Sequence, residues 1–179
     1  LVEDRLYIKT PSFYYQDGAT LKLSVSAVAV DRAARTVTLS DGTALGYDSL
    51  VFATGSRVRK LTVPGSDLPG LHYLRGIDDV KAIQPHFHAG KRMVVVGGGY
   101  IGLETAAVAA KRGLAVTVVE AMERCLQRVT SPLMSDFFQT LHRAEGVVIQ
   151  TETGVTGFEA APGGGLLVKT TKGEIACDF

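Results

Sequence analysis

Three glycines after an apolar run are the residues of this chain best suited to hold a ligand. The stretch VVVGGGYIGLE (94–104) places Gly97, Gly99 and Gly102 in a G-x-G-x-x-G pattern between a predicted strand and a predicted helix. In this pattern the first glycine allows a tight turn, the second lets a pyrophosphate approach the backbone, and the third lets the helix pack closely on the sheet. The free N–H groups at the start of the helix attract phosphate without a cationic side chain. The pattern therefore predicts a dinucleotide site.

A carboxylate at the end of the next predicted strand supports this interpretation. Glu120 follows the first glycine at close to the spacing of about 20 residues expected for an acid that binds ribose hydroxyls. Its charge would repel the 2′-phosphate of NADP, and no arginine occupies 121–123 to neutralise that phosphate. NAD(H) is therefore favoured over NADP(H), although Arg124 and Arg128 are near enough to affect the choice.

A second carboxylate, Glu104, has two interpretations from the residues alone. It could be an acid in the first turn of the helix, where a negative charge suits the helix dipole. It could also project over the crevice where a nicotinamide would lie. Other chemistry has less support, because His86-x-His88 has no Cys or carboxylate at metal-ligand spacing, and the chain contains no G-x-S-x-G motif. No metal site is predicted.

Composition narrows the classes of partner. The 179 residues are 46% hydrophobic, which is enough for a sizeable core, and the net charge of +1 shows no basic excess for nucleic acid or anionic membranes. No apolar run approaches the roughly 20 residues of a membrane helix. The cysteines, Cys125 and Cys177, form no CxxC pair and are expected to be reduced thiols of a cytoplasmic protein, with a redox pair between them left open.

The secondary-structure elements that must position these residues follow two patterns, first a β-meander and then alternating strands and helices. Between residues 21 and 56 we expect a β-meander, with strands in LKLSVSAVAV (21–30), RTVTLSDG (35–42) and YDSLVFATGS (47–56). The stretch VPGSDLPG (63–70) contains two turn signals and predicts a junction between domains.

Beyond that junction strands and helices alternate, which predicts a parallel sheet with right-handed crossovers. The predicted strands are 92–96, 115–119 and 147–151, followed by two or three antiparallel strands around the PGGG turn. A short helix that Pro85 must end or kink precedes the first strand, and helix 101–112, stopped by Gly113, follows it. A further helix lies before strand 147–151, with Ser131 as N-cap, Pro132 in its first turn and Gly146 just past its end.

Several stretches together resemble one enzyme family. They are SDGTALGYDSLVFATGSRVRKL, LHYLRGIDD, VVVGGGYIGLETAA, VTVVEAMERCLQRVTSP and FFQTLHRAEGV. Their sequences are similar to the two-dinucleotide flavoprotein reductases of the pyridine nucleotide-disulfide oxidoreductase superfamily. The resemblance is greatest to the FAD-containing, NADH-dependent ferredoxin reductases of bacterial oxygenase systems.

The resemblance implies an α/β fold in which a Rossmann-like NAD-binding domain, with a parallel sheet, helices and an antiparallel β-meander, is attached to part of a two-dinucleotide FAD domain. Residues 1–62 would belong to the FAD domain and residues 63–179 to the NAD domain. The implied reaction passes hydride from NADH to FAD and then single electrons to a [2Fe–2S] ferredoxin.

The resemblance also implies roles for individual residues. Glu104 would stand near the nicotinamide, Glu120 would hold the adenosine ribose, and Arg128 would flank the adenosine end. Two larger sets complete the implied sites: the NAD pyrophosphate would be lined by Gly97, Gly98, Gly99, Tyr100, Ile101 and Gly102, and FAD would meet Arg59, with Thr54 and Gly55 beside it and the Ala27 backbone near the adenine.

The chain departs from the family pattern in ways that predict a fragment. It lacks the N-terminal glycine fingerprint for FAD and the late Gly-Asp segment, and residues 177–179 fall where the last strand of the NAD domain should begin. We therefore expect these residues to bind NADH better than FAD. Two alternatives stay open, a disulfide or peroxide reductase of the same superfamily and a non-catalytic NADH-binding module.

Overall fold

The chain divides into two structural units between Gly55 and Ser56. The computed structural model describes residues 6–179. The domain boundary predicted between residues 62 and 63 lies a few residues beyond this division and stays a prediction. Among the helices of the described residues, none combines the length and the apolar character needed to cross a bilayer.

The first unit contains a short helix and an antiparallel meander. The elements are α1 (Pro11–Gln16), β1 (Ala27–Asp31), β2 (Thr36–Leu39) and β3 (Ala44–Gly46), with strand order β1-β2-β3. The Asp-Gly hairpin is confirmed, because the Asp41 carboxylate accepts a hydrogen bond from Thr43 N–H at 2.9 Å and Gly42 has φ of +83°.

The third predicted strand of this meander was wrong. No strand forms over 47–56, and β3 lies just before that stretch. Val51 is 84% exposed and Phe52 is 71% exposed. Strand-forming side chains are not sufficient, because a strand also needs a neighbour to pair its N–H and C=O groups. The first strand is likewise shorter than predicted and begins only at Ala27.

The second unit contains the predicted parallel sheet. Its strands are β4 (Arg92–Val96), β5 (Ala115–Val119) and β6 (Val148–Gln150), in the order β4-β5-β6. Val96 lies opposite Val119, and Val119 lies opposite Gln150. The carboxyl ends of the three strands therefore meet at one edge, which is where open α/β sheets bind ligands.

Capping residues, prolines and glycines set where the helices between these strands begin and end, and the helix ends predicted from them are confirmed. The helical elements are α2 (Ile77–Ile83), a 3₁₀ turn (Gln84–His86), α3 (Tyr100–Lys111) and α4 (Pro132–Ala144). Pro85 lies in the 3₁₀ turn that ends α2, and Gly113 follows α3 with φ of +81°. Ser131 caps α4 by accepting from Met134 N–H at 3.4 Å, and Gly146 follows that helix with φ of +84°.

An antiparallel sheet completes the second unit, as predicted around the PGGG turn. It consists of β7 (Val155–Ala160), β8 (Leu166–Thr170) and β9 (Gly173–Cys177). After β9 the chain reaches the free edge of β4. There Asp178 N–H donates to Arg92 O at 2.8 Å, and Val94 N–H donates to Phe179 O at 3.2 Å.

Two apolar clusters hold this unit together. The larger includes Leu103 and Ala106 of α3 together with Val116 and Val118 of β5. The smaller is formed by buried residues of the antiparallel sheet, namely Phe158, Leu166, Val168 and Cys177. The larger cluster fixes α3 against the parallel sheet, so the turn between β4 and α3 has rigid supports on both sides.

Candidate nucleotide-binding site

The turn between β4 and α3, residues 97–99, is shaped by glycine. Gly97 has φ of +104°, a conformation that residues with a Cβ rarely adopt. Its N–H donates to Val119 O at 2.8 Å, so the turn begins directly at the carboxyl end of the sheet. A Cβ on Gly102 would overlap the Gly97 carbonyl oxygen, so only glycine lets α3 rest this closely on the turn.

Gly99 has neither of these reasons to be glycine. Its φ of −80° is open to any residue, and no protein atom lies within 4 Å of the position of a Cβ. The space next to its main chain is therefore open. Conformation explains Gly97 and packing explains Gly102, whereas the protein alone gives no reason for Gly99.

The start of α3 faces the same opening. Gly99 is the N-cap and has no side chain to bind the first N–H groups of the helix, and the first turn contains no acid. Tyr100 and Ile101 in that turn are 52% and 57% exposed. Uncapped N–H groups at the positive end of a helix dipole suit an anion such as a diphosphate.

Glu120 is aimed at the glycine turn. Its Oε2 accepts from Gly98 N–H at 2.7 Å and its Oε1 accepts from Met122 N–H at 2.8 Å. An ionised carboxylate can accept about four hydrogen bonds, so these two bonds leave capacity for two ribose hydroxyls. The acid therefore lies beside the glycine turn, and its contact with ribose stays a prediction.

Gly98 is packed against a residue that the sequence analysis did not assign to the site. A Cβ on Gly98 would lie 2.5 Å from Cys125 Sγ and 3.3 Å from Glu120 Cβ. Leu126 N–H donates to Gly98 O at 2.9 Å. A small buried residue at position 125 is therefore part of the site's support. A single sequence carries no signal of it, because the contact joins segments far apart in the chain.

Both cysteines are buried and free. Burial, with the nearby Glu120 charge, raises the pKa of the Cys125 thiol, and burial raises the pKa of the Cys177 thiol. Both groups are therefore protonated thiols at neutral pH, which makes them poor nucleophiles.

The two arginines near Glu120 differ in their environment. Arg124 is half-buried, and its guanidinium donates to Thr130 O at 3.1 Å, Ser135 Oγ at 2.5 Å and Gln127 O at 3.2 Å. Arg128 is exposed. The guanidinium of Arg124 is thus engaged within its own loop and helix α4, and the predicted place of Arg128 at the adenosine end stays a prediction.

Glu104 is the fifth residue of α3 and is exposed. The interpretation as a first-turn acid was wrong, because the first turn of α3 contains none. Its position near a nicotinamide stays a prediction.

A cavity of about 630 Å³ adjoins the glycine turn within the second unit. Arg59, Tyr100 and Ile101, all predicted to contact a cofactor, line it, whereas Glu104, Glu120 and Arg128 do not. Its other walls are mostly apolar and include Val94, Val95, Val96, Leu71 and Phe158. Gly97, Gly99 and Gly102 line the cavity as well, so it reaches the glycine turn.

His72 also lines this cavity, and its Nε2 is buried without a hydrogen-bond partner among the described residues. Burial and the neighbouring His86 lower the pKa of His72. The His86 ring packs 5.1 Å from that of Phe179. In residues 6–179 no group of three or more His, Cys, Asp or Glu side chains could hold a metal ion.

The remaining residues predicted to contact FAD lie in the first unit. Ala27 begins β1 opposite Leu39, and Thr54 and Gly55 follow in the stretch without regular structure. All three are exposed, and Gly55 has φ of +69°. Their role in binding FAD stays a prediction.

The chain is similar to ferredoxin reductases in both sequence and structure. It is 44% identical over 166 residues to rhodocoxin reductase from Rhodococcus erythropolis, with 92% of this chain covered. The covalent putidaredoxin reductase–putidaredoxin complex matches with a TM-score of 0.84 and 39% identity, over 100% of this chain and 44% of that one. The chain spans 39% of the length of rhodocoxin reductase.

Two more distant structural relatives were solved with different nucleotides bound. A water-forming NADH oxidase from Lactobacillus brevis, solved with NADH bound, has a TM-score of 0.82 and 26% identity, over 100% of this chain and 41% of that one. An engineered form of it, solved with NADPH bound, has a TM-score of 0.81 and 25% identity, over 98% and 40% of the two chains. The engineered form carries substitutions of a glycine, an aspartate, an alanine, a methionine and a proline.

A family model covers nearly the whole chain. The model of the pyridine nucleotide-disulphide oxidoreductases matches residues 9–179. The match includes the glycine turn, α3 and Glu120. This chain belongs to the pyridine nucleotide-disulphide oxidoreductase family.

Proposed function

We propose that the full-length protein is an FAD-dependent NADH:ferredoxin oxidoreductase of the cytoplasm. It would take hydride from NADH and pass single electrons to a [2Fe–2S] ferredoxin of an oxygenase system. The observation that carries this proposal is the open main chain at Gly99, flanked by the uncapped start of α3 and by the Glu120 carboxylate. The 44% identity to rhodocoxin reductase supports the class of electron acceptor.

We propose specific atoms of the described residues as the contacts of NADH. The N–H groups of Tyr100 and Ile101 would bind the diphosphate, and Glu120 would accept from the adenosine ribose. Apolar side chains of the cavity would exclude water from the nicotinamide half, because few polar groups reach that space.

The preference for NADH over NADPH is supported by the Lactobacillus brevis oxidase. In its engineered, NADPH-bound form the substituted glycine, aspartate, alanine and methionine have the same spacing along the chain as Gly102, Glu120, Ala121 and Met122. Three of these four residue types are identical here, and the fourth is an acid in both. Glu120 would therefore favour NADH by binding ribose hydroxyls and repelling a 2′-phosphate.

FAD, when bound, supplies a group that accepts two electrons as hydride and releases them one at a time. Ala27, Thr54 and Gly55 of the first unit and Arg59 of the second are each proposed to contact it, and all four residues are exposed. The chain spans 39% of the length of rhodocoxin reductase, so most of a flavin site would come from other residues of the full-length protein.

The test is an anaerobic titration of the full-length flavoprotein with NADH while the visible flavin absorbance is recorded, with NADPH as the matched control. We expect NADH to bleach the flavin at lower concentration than NADPH, and an oxidised [2Fe–2S] ferredoxin to restore the colour. Recovery with a disulfide or a peroxide, but not with the ferredoxin, would contradict the proposal and support a reductase of those substrates. Saturable NADH binding to a protein without flavin would support a non-catalytic module.

A further inference from the structure

Helix α4 buries three polar side chains and exposes several apolar ones. Ser135, Gln139 and His142 are buried, whereas Leu133 is 78% exposed and Phe137 is 56% exposed. A polar side chain in the interior destabilises the fold unless it is hydrogen-bonded. The hydrogen-bond partners of these side chains therefore show which part of the structure they hold. For Ser135 and Gln139 these partners belong to the loop that follows Glu120.

The side chains of Ser135 and Gln139 bind the main-chain N–H and C=O of Cys125. Gln139 Oε1 accepts from Cys125 N–H at 3.2 Å, and Ser135 Oγ donates to Cys125 O at 2.6 Å. The main chain of Cys125 is thereby fixed from one helix on both of its hydrogen-bonding sides.

Arg124 strengthens the same attachment. Its Nη1 donates to Ser135 Oγ at 2.5 Å and to Thr130 O at 3.1 Å, and its Nη2 donates to Gln127 O at 3.2 Å. A cation near the positive end of α4 is electrostatically unfavourable. These hydrogen bonds offset that cost, and they bind the guanidinium inside the loop.

The held segment in turn contacts the glycine turn. Cys125 Sγ packs against Gly98, and Leu126 N–H donates to Gly98 O at 2.9 Å. On its other side, Gly98 N–H donates to Glu120 Oε2 at 2.7 Å. Gly98 is therefore fixed through its N–H, its C=O and its Cα, and two of these contacts come from the segment that α4 holds.

We propose that Arg124, Ser135 and Gln139 are positioning residues for the adenosine diphosphate half of the dinucleotide. This inference rests on the proposed function. None of the three touches the nucleotide. They act through Cys125 and Leu126, which hold the Gly98 peptide and thereby the site where the diphosphate and Glu120 meet.

The test compares two electron donors on the full-length flavoprotein. NADH carries the adenosine half, whereas reduced nicotinamide mononucleotide lacks it. For Arg124→Met and Ser135→Ala, loss of a hydrogen bond to a buried group predicts a KM for NADH raised about tenfold, with kcat within about twofold. The kcat/KM for reduced nicotinamide mononucleotide should not change. Arg124→Lys, which keeps the charge but loses the planar fork, should restore part of the NADH affinity.

The matched control is Thr140→Ala, which removes an exposed hydroxyl from the same helix and should leave both donors unaffected. An unchanged KM for NADH in Arg124→Met and Ser135→Ala would overturn the inference. An equal loss with both donors would also overturn it, because that pattern indicates general damage. If Arg124→Met does not fold, Ser135→Ala and Gln139→Leu decide the outcome.

Failure of the proposed function gives a different result. If NADH does not reduce the wild-type flavin, the function is wrong, and the positioning inference is then decided by calorimetric titration with ADP-ribose. There we expect the variants to lose about tenfold in affinity. An unchanged affinity would overturn the inference.

Discussion

At the scale of single residues, three of the four glycines between residues 97 and 102 have separate reasons within the protein. The left-handed φ of Gly97 and the contact of Gly102 with the Gly97 carbonyl match the reasons that the G-x-G-x-x-G pattern predicts for the first and third glycines. The reason for Gly98 is its contact with Cys125, which the pattern does not contain. Single-sequence reasoning finds a motif residue more readily than the residue packed beneath it.

Glu120 carries the prediction at this scale. Glu120→Ala removes the acid that would bind ribose and repel a 2′-phosphate, and it also removes the acceptor for Gly98 and Met122 N–H. Both nucleotides should therefore bind less tightly, and the ratio of their kcat/KM values is the informative quantity. We expect the preference for NADH over NADPH to narrow about tenfold.

The measurement is steady-state reduction of a ferredoxin by each nucleotide. Glu123→Ala, an exposed acid in the same loop, is the control and should keep the wild-type ratio. A ratio unchanged in Glu120→Ala would refute the ribose assignment.

At the scale of elements, the sequence predicts best what is decided locally. Strands 92–96 and 115–119 and the caps of α4 follow from β-branched runs, Ser131, Pro132 and Gly146, and the structure confirms them. The strand predicted at 47–56 was wrong because pairing depends on a neighbour, which local sequence does not specify. The bonds of Arg124 and Ser135 were not predicted for the same reason, since they join two separate elements.

The contact of Asp178 with the edge of β4 predicts that the free energy of unfolding depends on pH. Asp178 accepts from Arg92 N–H at 2.7 Å, and this bond, with the Arg92 and Lys91 charges, lowers the pKa of Asp178. A lowered folded-state pKa means that the contact stabilises the fold above the ordinary aspartate value of about 4 and is lost as the pH falls through the lower folded value.

Asp178→Asn should therefore reduce the free energy of unfolding by about 1 kcal/mol at neutral pH, a figure discounted because the group is partly exposed. The difference from wild type should shrink below about pH 4. Urea unfolding across this range measures it, with exposed Asp67→Asn as the control. A difference that stays constant with pH would show that the Asp178 charge is not responsible.

At the scale of the whole molecule, residues 1–179 contain more of the proposed NADH site than of the proposed FAD site. The features that would bind NADH lie in one unit, residues 56–179, whereas the residues named for FAD are few and exposed. Residues 1–179 expressed alone should therefore bind NADH saturably and bind FAD at least tenfold more weakly than the full-length protein, since roughly 1.4 kcal/mol of lost contacts gives that factor. Fluorescence titration with each nucleotide measures both affinities, and FAD binding as tight as in the full-length protein would contradict the prediction.

The central claim is that the diphosphate of NADH lies against bare main chain at the glycine turn, and Gly99→Ala tests it most directly. A Cβ at this position meets no protein atom within 4 Å and needs no unusual φ, so the variant should fold. Its melting temperature should lie slightly below that of wild type, because alanine is a poorer N-cap residue than glycine. Gly154→Ala, where a Cβ would make only an ordinary 3.5 Å contact with Thr171, is the matched control. The account predicts that NADH affinity falls at least about tenfold in Gly99→Ala, because the added methyl group occupies the space of the diphosphate, and that it is unchanged in Gly154→Ala. A folded Gly99→Ala protein with wild-type NADH affinity would contradict the account.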